Sequence, residues 1–339
     1  MKCDRVVSLV AVVVALLLLW PALNSALTPV SRTITVDRDG GGDFTSVQSA
    51  VNYVPDGNQA WVRIHVRAGS YTEKVTIPAE KGYILLEGDG SWNTDINFND
   101  YAGANVRRRR YTSPTYQSAT FTVLADNFVA QNIAFKNTHN AHDKVNKSQA
   151  VAALVRGDRN AFYDCAFHGF QDTLCDDLGR HYFSRCYIEG GIDFIFGYAQ
   201  SIYDGCTIVS NMPPSHRHNR PGSITAHGRV HASDPGGFVF KGGEVRGTGR
   251  QYLGRAWNKY ATVVYYHVNM SSVVVPLGWA SWNAGDDTSD VVFAEVGCTG
   301  PGSNVTGRVP WEKQLSDAEV DKLVDMSYID DGWLDEQPQ

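Results

Sequence analysis

With 339 residues, of which 43% are hydrophobic and 19% charged, the chain is long enough to bury a large core. Acidic residues outnumber basic residues by 36 to 30, and the resulting formal net charge of −6 argues against a nucleic-acid partner. The ten histidines are scattered and no Cys-x-x-Cys motif occurs, so we expect neither a metal site nor a cofactor.

The N-terminal segment has the layout of a secretory signal peptide. Lys2 and Arg5 precede an apolar run that ends at Trp20, and small residues follow up to Ala26. The run is shorter than the ~20 residues that a membrane span usually needs, which favours cleavage after Ala26 over an uncleaved anchor. We therefore expect a secreted, extracellular protein of residues 27–339. It should form one domain, because no Pro/Ser-rich linker interrupts it.

Short elements begin the mature chain. Residues 33–36 alternate between apolar and polar and predict a first strand. Thr45 and Gln48 form a capping-box pattern ahead of an apolar helical repeat, which predicts a short helix that closes one end of the fold. Strands are expected at 61–66 and 75–77. The charged run at 107–110 lies between apolar segments and is interpreted as a solvated loop.

The middle of the chain carries a short repeat. Cys165, Cys186 and Cys206 each begin a similar unit, at intervals of 21 and 20 residues. Apolar and polar residues alternate with no helical pattern between the copies, which predicts an all-β solenoid whose turns stack strands in parallel. The mature chain has an odd number of cysteines. Cys165 and Cys186, on neighbouring turns, could form a disulfide, and the alternative is a stacked ladder of buried free thiols.

Two carboxylates follow the same interval. Asp172 and Asp193 are 21 residues apart, so they should occupy the same place on successive turns, roughly 4.8 Å apart. Such a pair cannot ionise independently, and its surroundings can leave one carboxyl protonated as an acid and the other charged as a base or nucleophile. Gln149 lies about one turn further back and would add an amide donor. Near the C-terminus, Ser316 with Glu319 predicts a helix packed along the outside.

Five sequence blocks stand in order along the chain: GSYTE (69–73), QAVA (149–152), GFQDTL (169–174), GIDFIFG (191–197) and LGRAW (253–257). Together they resemble the blocks of plant pectin methylesterases, in the form without an inhibitor-like pro-region. The resemblance covers roughly residues 33–330. It implies a single-stranded right-handed parallel β-helix, of the pectin-lyase-like type, that hydrolyses the methyl esters of homogalacturonan to pectate and methanol during cell-wall modification.

The resemblance and the needs of ester cleavage together suggest roles for the polar residues. The reaction needs a nucleophile, donors to the oxyanion and an acid for the leaving methoxide. No Gly-x-Ser-x-Gly elbow occurs, so we assign Asp193 as the nucleophile, held ionised by a bidentate pair with Arg255 that would lower its pKa. Asp172 is the expected acid and then base. Gln149 and Gln171 are the expected oxyanion donors.

Aromatic and hydroxyl side chains are expected to hold the substrate. Trp257 would offer a flat apolar face to a sugar ring, and Phe170 and Phe194 are further candidates. Thr115 matches a family position that contacts the substrate. Ala256 stands where the family commonly has proline, which would leave the backbone of the LGRAW block less fixed.

The expected partner is methylesterified pectin, which is largely neutral and therefore suits an acidic protein. The resemblance adds a proteinaceous pectinesterase inhibitor as a second partner, and closed ends with an acidic surface favour a monomer. Sequons at Asn146, Asn269 and Asn304 suit a secreted glycoprotein. Two other hypotheses remain open: the same solenoid with lyase or glycosidase chemistry, and a wall-bound pectin-binding protein without turnover.

Overall fold

A computed structural model of the protein describes residues 28–103, 113–140, 147–213 and 220–338. Within these residues its framework is a coil whose complete turns each contribute one strand to each of three sheets, named here sheets A, B and C, of ten, eight and eight strands. Neighbouring strands in every sheet run parallel. The chain is thus the single-stranded right-handed parallel β-helix that was predicted. The predicted signal peptide, the charged run at 107–110 and the sequon residue Asn146 lie outside the described residues.

From the second strand onward the strands fall into sheets A, B and C in rotation along the chain, and the first adds a further strand to sheet A. Sheet A contains β1 (Arg32–Val36), β2 (Val62–Val66), β5 (Ile84–Gly88), β8 (Phe128–Gln131), β11 (Asn160–Tyr163), β14 (Arg180–Ser184), β17 (Gln200–Asp204), β20 (Gly237–Lys241), β23 (Thr262–Tyr266) and β26 (Val292–Val296). Sheet B contains β3 (Gly69–Thr72), β6 (Thr94–Phe98), β9 (Ala134–Asn137), β12 (Ala166–His168), β15 (Tyr187–Gly190), β18 (Thr207–Asn211), β21 (Glu244–Thr248) and β24 (Asn269–Met270). Sheet C contains β4 (Val75–Ile77), β7 (Phe121–Val123), β10 (Ala153–Val155), β13 (Leu174–Asp176), β16 (Ile195–Gly197), β19 (Gly222–His227), β22 (Gln251–Ala256) and β25 (Trp279–Ser281).

The turn from sheet A to sheet B explains the cysteine repeat. In each copy a residue with left-handed backbone changes the chain's direction, and a buried cysteine follows it. The turn residues have φ of 51°, 52° and 60°, and the pairs are Asp164–Cys165, Arg185–Cys186 and Gly205–Cys206. The repeat therefore marks one corner of the solenoid.

In the structure Cys165 and Cys186 are free thiols, as in the alternative of a stacked ladder, and not a disulfide. The thiols bond to backbone carbonyls instead: Cys186 Sγ lies 3.4 Å from the Phe162 oxygen, and Cys206 Sγ lies 3.3 Å from the Phe183 oxygen. Burial raises the pKa of the Cys186 thiol well above its usual value, which keeps it protonated and inert.

Aromatic rings fill the core beneath sheet A. Phe162, Phe183, Tyr203, Phe240 and Tyr265 stack on successive turns with ring centroids 4.5 to 5.0 Å apart. All five are fully or almost fully buried. Since each turn repeats the backbone of the one before, one inward position per turn builds a continuous ladder.

The N-terminal end of the solenoid is closed by α1 (Val47–Tyr53), as predicted. The helix cap is Ser46, not Thr45: the Ser46 hydroxyl accepts from the Ser49 N–H at 3.3 Å. Glu73, from the GSYTE block, accepts hydrogen bonds from the first two backbone N–H groups of the helix, at 2.8 and 3.0 Å. This block thus has a structural task at the helix N-terminus.

Two further helices are short. α2 (Pro114–Gln117) is a single turn, and α3 (Asp317–Val324) begins after Ser316 as predicted, with the Ser316 N–H donating to Glu319 Oε2 at 2.9 Å. Single 3₁₀ turns occur at Pro301–Ser303, Val305–Gly307 and Met326–Tyr328. Among the described residues, no helix combines the length and apolar character needed to cross a bilayer. The sequon residues Asn269 and Asn304 are both exposed.

Candidate active site

Asp172 and Asp193 lie in the turns that lead from sheet B to sheet C. Gln171 pairs with Ile192 and Leu174 pairs with Ile195 in parallel register, so the two carboxyl residues are stacked one turn apart. Their φ values are 61° and 46°, the left-handed backbone of a tight turn. They are 8% and 5% exposed.

Both carboxylates line one cavity of about 220 Å³ on the outer face of sheet C. Twelve residues line it: Ser113, Thr115, Tyr116, Gln149, Gln171, Asp172, Asp193, Phe196, Ala226, Arg255, Trp257 and Trp282. The set combines two carboxyls, two amides and one guanidinium with an aromatic surround. This composition suits a polar group carried on a ring-shaped ligand.

Arg255, on β22, forms a bidentate pair with Asp193. Its Nε donates to Oδ1 at 2.7 Å, and its Nη2 donates to Oδ2. The guanidinium also lies over the ring of Trp282, with Cζ 3.8 Å from the ring centroid. Ala256 continues the strand and pairs with neighbours on both sides, so the backbone next to Arg255 is held without a proline.

Burial changes the expected ionisation of the pair. Burial raises the pKa of Asp193 above its usual value, and the Arg255 guanidinium acts in the predicted direction by lowering it in part. The pKa of Asp172 is raised well above its usual value, first by burial and then by the neighbouring charge of Asp193. Asp172 has no bidentate arginine of its own among the described residues. It is therefore the carboxyl that keeps its proton when the pair shares one.

The two glutamines reach the cavity from different backbone positions. Gln171 directly precedes Asp172, whereas Gln149 lies ahead of β10. Next to Gln149, the backbone N–H of Ala150 donates to the backbone carbonyl oxygen of Gln171 at 3.1 Å. The paired register of β10 and β13 begins at Ala153 and Leu174, so Gln149 lies four residues before the paired segment. Both amides nevertheless line the cavity with the carboxylates.

The sequence profile of one family, described as Pectinesterase, matches residues 33–332. The chain belongs to the pectinesterase family. As such it is a carboxylic ester hydrolase, a pectin methylesterase. It is 43% identical to "Probable pectinesterase 55" of Arabidopsis thaliana over 314 residues, covering 90% of this chain and 91% of that protein.

Solved structures agree with the family assignment. The pectin methylesterase from carrot superposes with a TM-score of 0.78 at 31% identity, covering 87% of this chain and 92% of that one. The deglycosylated pectin methylesterase from Aspergillus niger superposes with a TM-score of 0.74 at 27% identity, covering 92% and 98%. Both carry the same solenoid along nearly their whole length.

Not every aromatic residue of the pectinesterase blocks reaches the cavity. Phe194 is fully buried in the central core and Phe170 is 1% exposed, so the prediction that they contact a sugar is wrong. After the left-handed turn at Asp193, both Phe194 and Ile195 face inward, and the first side chain to face the cavity is Phe196.

Five cavity residues escaped the sequence prediction: Ser113, Tyr116, Phe196, Ala226 and Trp282. Trp282 could have been found from its position one turn after Trp257. Ala256 pairs with Ser281, and this register places the two tryptophan rings with their centroids 6.1 Å apart. Thr115 and Trp257 do line the cavity. In the part of the chain that the structure describes, no three His, Cys, Asp or Glu side chains are grouped to hold a metal ion.

Proposed function

We propose that the enzyme removes methyl groups from homogalacturonan through Asp193 as nucleophile and Asp172 as acid and base. One observation carries the proposal: two buried carboxylates share a cavity, and of the two it is Asp193 that is paired bidentately with Arg255. The pair therefore divides into a charged and a protonated member, which is the division that ester cleavage by a carboxylate needs.

In the first step, an Asp193 carboxylate oxygen attacks the ester carbonyl carbon of a galacturonate methyl ester. The carbonyl oxygen becomes an oxyanion, and the amide N–H groups of Gln149 and Gln171 are the donors that would stabilise it. The oxyanion then collapses, the bond to methoxide breaks, and Asp172 gives its proton to the methoxide. Methanol leaves, and an anhydride joins Asp193 to the sugar.

In the second step, Asp172 is a carboxylate and acts as a base. It takes a proton from water as the water oxygen attacks the anhydride carbonyl carbon of the sugar. The bond to Asp193 breaks, which releases the galacturonic acid and restores ionised Asp193 and protonated Asp172. The acid then gives its own proton to bulk water and becomes galacturonate. Arg255 is paired with Asp193 before and after each turnover and holds the attacking oxygen in place.

The aromatic surround supports a sugar substrate. Trp257 lies beside Tyr198 with ring centroids 5.0 Å apart and extends the apolar surface next to Arg255. Flat apolar faces suit the faces of pyranose rings, and Thr115 adds a hydroxyl to the lining of the same cavity. We further propose that the enzyme acts outside the cell on wall pectin, as the signal-peptide pattern indicates.

The test is methanol release from highly methylated pectin. The mature wild-type protein is compared with Asp193→Asn, which is nearly isosteric but a poor nucleophile, and we expect release to be abolished. Asp164→Asn is the matched control. Asp164 also has left-handed backbone and a bidentate arginine, Arg185, at 2.9 and 2.7 Å, but it lies on the A-to-B turn.

Chain length of the pectin is measured in the same reactions, with and without a chelator. Methanol release without shortening of the polymer supports the proposal. Polymer shortening without methanol release would favour lyase or glycosidase chemistry instead. If the folded wild-type protein binds pectin and releases no methanol, it is a binding protein and the proposal fails.

A further inference from the structure

One wall of the cavity is a single turn of helix. α2 spans Pro114–Gln117, and Ser113, Thr115 and Tyr116 all face the cavity. A helix of four residues has no stability of its own in water. The position of this wall therefore depends on contacts that tie it to the solenoid.

Tyr116 makes a side-chain contact that ties the wall to the strand beside the carboxylates, in addition to the bond that Lys74 Nζ donates to the Gln117 carbonyl oxygen at 2.7 Å. Its hydroxyl donates to Asp177 Oδ1 at 2.6 Å. Asp177 follows β13 directly, and Asp172 lies two residues before the start of the same strand. One short strand is thus flanked by a carboxyl of the site, Asp172, and by the residue that anchors α2, Asp177.

Asp177 is itself fixed in position. Its side chain is 2% exposed, its backbone N–H donates to the Val155 oxygen at 2.9 Å, and Arg156 Nη1 lies 3.3 Å from Oδ2. A buried carboxylate is unfavourable unless it is paired and hydrogen-bonded. The Tyr116 hydroxyl supplies a hydrogen bond to Oδ1, and Arg156 supplies an ion pair to Oδ2, which has no hydrogen-bond partner among the described residues.

The Tyr116 ring has a separate contact. It packs against the apolar cluster on the outer face of sheet C, which includes Val151, Leu154 and Cys175. Removing the hydroxyl would leave this packing in place. The hydrogen bond and the ring contact can therefore be separated by experiment.

We propose that Asp177 is a positioning residue: through the Tyr116 hydroxyl it fixes α2, and so sets the position of Thr115 relative to the two carboxylates when the sugar chain binds. The inference rests on the proposed function, which supplies the substrate. None of the hydrogen bonds described above for Asp193 and Arg255 involves α2. The hydrogen bond from Tyr116 to Asp177 should therefore affect substrate binding more than the chemical step.

The first variant is Tyr116→Phe. A hydrogen bond to a charged group is worth about 10-fold or more in an equilibrium constant, so we expect KM for methylated pectin to rise about 10-fold. We expect kcat to fall no more than about 3-fold, because the reacting groups are untouched. Asp177→Ala should have the same effect, and the double variant should be no worse than either single one.

Two further variants separate positioning from general stability. Asp177→Asn keeps an oxygen that can accept from the Tyr116 hydroxyl, so its KM should return toward the wild-type value. Tyr182→Phe removes a comparable bond, from the Tyr182 hydroxyl to Asp204 Oδ2 at 2.9 Å, on sheet A away from the cavity. It should lower the melting temperature and leave KM unchanged.

Binding is also measured without turnover, by calorimetry with a methyl-esterified oligogalacturonide on the Asp193→Asn background. A wild-type KM and Kd in Tyr116→Phe would overturn the inference, and so would fully additive effects in the double variant. If the wild-type enzyme released no methanol, the proposed function would fail. Calorimetry of Asp193→Asn with and without the additional Tyr116→Phe change would still decide whether the hydrogen bond from Tyr116 to Asp177 affects binding.

Discussion

Asp193 and Asp164 make the same bidentate contact with an arginine from equivalent left-handed backbone, but their side chains are 7% and 45% exposed. In water the second pair contributes little, because solvent screens it. Asp193 is shielded from water, and burial raises the pKa of both members of the carboxylate pair. The bidentate aspartate–arginine pair alone does not identify the candidate site, because it also occurs on the surface. The site is distinguished by the burial of that pair.

The difference in stability between Asp172→Asn and the wild type should depend on pH. The pKa of folded Asp172 lies well above the unfolded value of 3.8, so the folded protein holds this proton more tightly than the unfolded chain does. The stability that this proton contributes to the wild-type protein is fully present below about pH 4. It is lost as pH rises through the pKa of folded Asp172. Asparagine carries no such proton. The melting temperature of Asp172→Asn relative to the wild type should therefore increase from about pH 4 upward.

Calorimetry at several pH values checks this, with Asp193→Asn for comparison. That variant leaves the Arg255 guanidinium without its partner, so it should be less stable than Asp172→Asn throughout. A melting-temperature difference between Asp172→Asn and the wild type that stays constant with pH would contradict the buried, proton-retaining Asp172.

Replacing Arg255 should move the pH profile as well as lower the rate. Arg255 lowers the pKa of Asp193, so Arg255→Ala should raise that pKa and shift the acidic limb of kcat/KM to higher pH. We expect kcat to fall about 100-fold, as for loss of one oriented electrostatic contact. Arg255→Lys keeps a positive charge but cannot make the bidentate contact of a guanidinium. Its acidic limb should therefore lie between those of the wild type and Arg255→Ala. An unshifted limb in Arg255→Ala would mean that Asp193 does not control it.

Reducing agents should not change the stability of the mature protein. The five cysteines in the described chain are free, and a disulfide would contribute about 2–4 kcal/mol that reduction would remove. Thiol titration in denaturant without reductant should find five thiols per mature chain. The native protein should react slowly, because Cys186 and Cys206 are buried and their pKa values are raised. Loss of two of these thiols from the titration would restore the disulfide hypothesis.

Periodicity predicted the solenoid and the stacking of Asp172 on Asp193, because a repeat interval maps directly onto turns. It did not predict which aromatic residue faces the cavity. The left-handed turn at Asp193 interrupts the alternation, so Phe194 and Ile195 both face inward and Phe196 faces out. The position of a residue within its block was therefore a poor guide to its exposure.

Two other features lay beyond the sequence. Tyr116 and Asp177 are 61 residues apart with no motif to link them, and only the packing of α2 against sheet C brings them together. The net pKa direction of Asp193 depends on the balance between burial and a guanidinium. A sequence shows that the arginine is available, but the degree of burial follows from the whole surround.

Glu73 should affect stability and leave catalysis unchanged. It belongs to a block shared with the family, yet its carboxylate binds the Val47 and Gln48 N–H groups at the start of α1 and lies outside the set of residues that line the cavity. Loss of a helix cap typically destabilises a protein by about 1 kcal/mol, so Glu73→Ala should lower the melting temperature by a few degrees at unchanged KM and kcat per folded molecule. Glu73→Gln keeps one acceptor and should recover part of the loss. A fall in kcat at full folding would instead connect this end of the solenoid to the active site.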